Sequence, residues 1–73
     1  MATIKVCSEV SGSVWKLLKK AGDSVDAGEE IMLIESMKME IPVSCDNGGR
    51  IESINVAEGE AITEGQTVAV VVS

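Results

Sequence analysis

The chain has 73 residues, with 12 acidic against 6 basic side chains, a net charge of −6 and no histidine. Such a length holds one domain, residues 1–73, with no room for an enclosed catalytic cleft. The acid excess and the single aromatic residue, Trp15, exclude a nucleic-acid binder, and the missing imidazole excludes Ser-His and Cys-His nucleophile pairs and most zinc sites.

At the N-terminus no basic flank leads into an apolar stretch, so no secretory signal is expected and the cytoplasm is the expected compartment. Nowhere does an apolar run approach the roughly 18 residues of a membrane-spanning helix. Short β-prone runs alternate with glycine-bearing turns. The first half predicts strands over 3–8 and 12–19, a brief one around Val25, and one over 31–36. The second half predicts 39–44, 49–56, a brief strand around Ile62, and 68–72. Val14, Leu17 and Leu18 also sit at helical spacing. That run is short, however, and its counterpart between Ile51 and Val56 is rich in β-branched residues, so both are read as strands. Apolar parity slips between Ile51 and Ile54, which predicts a bulge or a bend.

These elements repeat. An offset of 37 residues lays Ile4 on Ile41, Val6 on Val43, Gly12 on Gly49, Gly22 on Gly59, Gly28 on Gly65 and Ser36 on Ser73. Matched glycines mean matched turns. Two copies of one unit, spanning about 2–36 and 39–73, are each too small to bury an apolar face alone. The expected fold is all-β: a flattened barrel or sandwich of antiparallel strands with pseudo-two-fold symmetry. The symmetry places residues 37 and 38 at a hairpin tip, equivalent to the gap between the two termini and at the pole far from them.

Several residues invite plain structural readings. Cys7 and Cys45 leave one disulfide open, but a reducing compartment favours two small buried hydrophobes. Trp15 is expected as a partly buried packing residue. Lys16, Lys19 and Lys20 are expected as a basic edge that discourages strand pairing.

The hairpin tip breaks a local rule. A two-residue loop needs positive φ, which favours Asn-Gly or Asp-Gly, yet the link here is Met37-Lys38. A rule broken at one place in an otherwise consistent sequence points to function. What the tip presents is a primary amine between two thioethers. As a base or Schiff-base nucleophile such an amine needs burial or a cationic neighbour. A wet tip flanked by Glu35 and Glu40 offers neither. It is suited instead to delivery into another enzyme's pocket and acylation there.

The run Glu35-Ser36-Met37-Lys38-Met39-Glu40 resembles the biotin-acceptor motif Glu-Ala-Met-Lys-Met of biotin carboxyl carrier domains. The turns Ala21-Gly22-Asp23-Ser24-Val25, Ala27-Gly28-Glu29, Gly48-Gly49, Glu58-Gly59-Glu60 and Glu64-Gly65-Gln66 resemble those of the biotinyl/lipoyl domain family over nearly the whole chain. The length is similar to that of its small stand-alone bacterial members. The resemblance implies two four-stranded antiparallel sheets, without the inserted thumb of some acetyl-CoA carboxylase carriers.

It also implies a monomeric carrier, not an enzyme. On this resemblance a biotin protein ligase is expected to join biotin to Lys38 and to read Glu35, Ser36, Met37, Met39 and Glu40. The swinging arm then moves carboxyl groups between biotin carboxylase and carboxyltransferase. One departure keeps a second cofactor open. Ser36 stands where carriers usually have Ala or Val, and Glu35-Ser36 resembles the lipoyl motif, so a lipoate ligase modifying the same lysine is an alternative. An unmodified β-sandwich interaction module is the rival from another class.

Overall fold

The computed structural model describes residues 2–73. Eight strands follow one another: β1 (Thr3–Cys7), β2 (Gly12–Leu17), β3 (Ser24–Val25), β4 (Glu30–Ser36), β5 (Met39–Ser44), β6 (Gly49–Ile54), β7 (Ala61–Ile62) and β8 (Thr67–Val72). They form two four-stranded antiparallel sheets, ordered β1-β8-β6-β3 and β5-β4-β2-β7. Exchanging the halves of the sequence turns one order into the other, so the expected two-fold repeat is the architecture itself.

The repeat extends to single hydrogen bonds. Gly22 N donates to Ile51 O at 2.7 Å, and its counterpart Gly59 N donates to Val14 O at 2.7 Å. Asp23 Oδ2 accepts the Lys20 N–H, as Glu60 Oε1 accepts the Ala57 N–H. Both Gly22 and Gly59 have positive φ, 96° and 87°, which a Cβ would strain. Each half thus crosses to the other through its turns.

Apolar alternation supplies the core. Val14, Ile31, Met32 and Ile34 from one half and Ile51, Val68, Ala69 and Val71 from the other are essentially without solvent contact. The expected parity slip is a bulge: the β6–β8 register shifts between Ile51 and Ser53, and the β2–β4 register shifts equivalently between Val14 and Lys16. Trp15 is the residue skipped there. It turns outward and stays 49% exposed, less covered than its expected packing role.

Two further expectations change. Cys45 is buried, but Cys7 is exposed, because alternation from the buried Val6 points it out of the sheet. Both thiols are free. Lys16, Lys19 and Lys20 lie on and after an inner strand, flanked by β4 and β7, and so do not guard an edge. Lys19 instead pairs with Glu29 at 2.9 Å. The long edge strands are β1 and β5, and they carry Lys5 and Pro42. These two residues occupy equivalent repeat positions, and both chemistries discourage a further strand from pairing.

Candidate functional site

β4 and β5 run together to the end of their sheet, pairing Ile34 with Ile41, Glu35 with Glu40 and Ser36 with Met39. Met37 and Lys38 are all that remains to reverse the chain. Their φ angles are 53° and 65°, and they are the non-glycine residues with positive φ among those described. At each of the other positive-φ positions the chain places glycine: Gly22, Gly28, Gly59 and Gly65. A left-handed backbone costs roughly 1–2 kcal/mol for a residue with a Cβ. The tip therefore holds strain that a glycine would relieve, a pattern typical of functional positions.

Packing does not explain the residues chosen. Met37 is 92% exposed and Met39 60%. Lys38 is exposed, and its amine has no ion-pair partner among the described residues. Strand alternation sends Ile34 and Ser36 toward the interior and Glu35 outward. Glu35 and Glu40 thus face each other on the outer surface, both exposed. Like charges directly opposite across a strand pair repel and lower stability. Strain, exposed thioethers and repelling carboxylates converge on one amine.

Behind the tip the support is firm. The Ser36 hydroxyl donates to the Ser11 carbonyl at 2.8 Å. The Ser11 hydroxyl accepts the Glu64 N–H at 2.9 Å. Gly12 lies against the same strand, and a Cβ there would collide with the Glu35 carbonyl oxygen. The hairpin is thereby tied to the β1–β2 loop, and that loop to the β7–β8 turn. Gly12 is legible in the sequence as a repeat glycine. Ser11 is not, since its repeat counterpart is Gly48.

The amine lies outside any cleft. Two shallow clefts of about 140 and 190 Å³ open along the seam between β1 and β5, and Lys38 lines neither. They contain equivalent repeat residues and so follow from the symmetry. Lys38 has no enclosing pocket, base or metal cluster among the described residues. The arrangement suits an amine that enters a pocket on another protein.

Comparison with known proteins agrees with this geometry. Residues 3–71 match the biotin/lipoyl family, described as Biotin-requiring enzyme. The chain is 38% identical over 63 residues to the biotin/lipoyl attachment protein of Bacillus subtilis, covering 86% of each. It superposes on the urea carboxylase of Kluyveromyces lactis with a TM-score of 0.93 at 33% identity, over 99% of this chain and 6% of that one. It also superposes on the lipoyl domain of the 2-oxoglutarate dehydrogenase complex from Azotobacter vinelandii. There the TM-score is 0.76 at 26% identity, over 100% of this chain and 98% of that domain.

Proposed function

The chain belongs to the biotin/lipoyl family, and from that premise we propose that Lys38 is the residue that carries its prosthetic group. The protein is a biotin/lipoyl carrier domain. The observation that carries the assignment to Lys38 is its exposed amine on a two-residue turn with positive φ at both positions. A biotin protein ligase that first activates the biotin carboxyl as an adenylate would let Lys38 Nζ, having given up a proton, displace AMP and form an amide, which would place the group in solvent beyond the sheet. The residues present fit it, because the amine is unpaired and nothing encloses it. Once attached, biotin supplies a ring that takes a carboxyl group from biotin carboxylase to carboxyltransferase.

The chain's own residues do mechanical work. The double sheet is the rigid base, and the strained turn holds Lys38 away from it. The exposed Met37 and Met39 offer polarisable contacts to a ligase pocket. Tethering replaces a diffusional search with a local one at high effective concentration, which is the advantage of an arm over a free cofactor. The domain needs no catalytic group of its own, and it acts as a monomer. Ser36 and the likeness to a lipoyl domain favour a second reading, lipoate on the same lysine.

Intact mass after coexpression with a biotin ligase, a lipoate ligase, or both tests the assignment. One added biotinyl group is expected, and none in Lys38→Arg. Modification that survives Lys38→Arg overturns it.

A further inference from the structure

The fold contains an internal control for what the tip needs. Apart from the Met37-Lys38 turn itself, the strand pairing at the hairpin end has a counterpart where β8 pairs with β1. The side-chain contacts of Ser11 do not. Its counterpart Gly48 has no hydroxyl to accept the N–H of Ala27, the counterpart of Glu64. Ser73, the counterpart of Ser36, makes no side-chain hydrogen bond among the described residues. Both sheets form equally well, so the fold does not require these two bonds. They occur only behind Lys38.

We propose that Ser11 and Ser36 form a hydroxyl latch that fixes the pose of the acceptor hairpin, making both positioning residues for acylation of Lys38. The proposal rests on the reading of Lys38 as acceptor. The geometry is specific. Ser36 is half-buried and one residue before the turn, so its bond to the Ser11 carbonyl restrains the hairpin 25 residues away in sequence. Ser11 is exposed, and it passes that restraint to the β7–β8 turn through Glu64 N. A partner that grips the tip and the neighbouring loops together meets them in one fixed arrangement. Without the latch the hairpin samples other poses. Apparent affinity then falls by the fraction of molecules in the competent pose. A hydrogen bond of ordinary net strength favours the latched pose by about five-fold.

The test is ligase kinetics on the full chain with biotin and ATP saturating, read by intact mass, together with amide heteronuclear NOE values for residues 37–39. Ser36→Ala is expected to raise the KM for carrier about two-fold at unchanged kcat and to lower the NOE values. Ser11→Ala, which releases only the Glu64 N–H, should give a smaller rise. Ser36→Thr keeps the hydroxyl and should restore both readouts. An unchanged KM in Ser36→Ala, or a KM that Ser36→Thr fails to restore, overturns the latch. A fall in melting temperature without a KM change also overturns it, because that marks a purely structural bond. Acylation at a residue other than Lys38 overturns the acceptor assignment and the positioning role with it, while unchanged NOE values sink the latch alone.

Discussion

The Met37-Lys38 turn and the pairing of the chain ends occupy equivalent places in the repeat, and they differ in almost everything but backbone. At one end a strained loop joins β4 to β5. At the other, β8 and β1 lie side by side with no loop between them, held by hydrogen bonds that include Ser73 N to Ala2 O at 2.9 Å. A sheet that forms without the link does not need the link for its stability, so the residues of the loop are free to serve something else. Charge tells the same story. Glu9, Glu35, Glu40 and Glu64 surround the hairpin, whereas their counterparts are Asp46, Val72, Thr3 and Ala27. One acid of four is shared by both ends. The other three have neutral counterparts.

The largest effects on stability should be symmetric. A Cβ on Gly12 collides with the Glu35 carbonyl, and a Cβ on Gly49 collides with the Val72 carbonyl. Backbone cannot move aside cheaply, so Gly12→Ala and Gly49→Ala should each destabilise by about 3 kcal/mol, measured by urea unfolding. Their consequences for modification should differ. Gly12 presses on the hairpin strand, so Gly12→Ala should slow ligase modification of the folded fraction, and Gly49→Ala should not. Equal slowing by both would mean that the ligase senses global stability and not the hairpin end.

A smaller effect of opposite sign belongs to the turn. Asn tolerates the left-handed region better than Met. Met37→Asn should therefore stabilise the domain by about 0.5–1 kcal/mol. It should also lower the rate of modification, because an exposed thioether is lost. A gain in melting temperature with undiminished modification would show that Met37 is an indifferent turn residue. A loss of stability would show that the positive φ at position 37 carries no strain.

The sequence discloses the repeat because glycine has no substitute where φ is positive or backbones touch. It marks Met37-Lys38 as an unusual turn because Met-Lys is a poor turn former that packing cannot justify. The strand ends are less legible. Leu18 and Lys19 both donate to the Ile31 carbonyl, at 2.9 and 3.1 Å, so the chain stays bonded while it curls out of the sheet. Side-chain propensity looks the same on either side of that boundary. Residue type favours burial of Cys7 but strand alternation turns it outward, and at Trp15 a bulge reverses parity at a single residue. Ser11 left no signal, since its partners lie 25 and 53 residues away and no local spacing encodes them.

The smallest effect distinguishes the turns of the two ends by pH. Glu29 Oε1 accepts the Asp26 N–H at 2.9 Å, and at the equivalent position Gln66 Oε1 accepts the Thr63 N–H at 3.0 Å. Only the Glu29 turn adds an ion pair, because Val56 stands where Lys19 does. The hydrogen bond from Lys19, aided by the Asp26 N–H, holds the Glu29 carboxyl below its ordinary value of 4.5. The same bond to Glu29 raises Lys19 above 10.5. A lowered acid contributes stability that is present above its unfolded value and lost as pH falls through the folded one; a raised lysine contributes stability that is present below its unfolded value and lost as pH rises through the folded one. The pair therefore supports the fold between these limits, weakly, since both groups meet solvent. Glu29→Gln makes this turn resemble its counterpart. Its melting temperature should lie slightly below the parent's near pH 7, with the gap closing as pH falls below the ordinary carboxyl value of 4.5 and in roughly 1 M salt. Gln66→Ala, which removes a neutral acceptor, should open a gap that neither acid nor salt closes. If the Glu29→Gln gap were also independent of pH and salt, the carboxylate would be acting only as the amide does, and the two turns would be equivalent in energy as well as in shape.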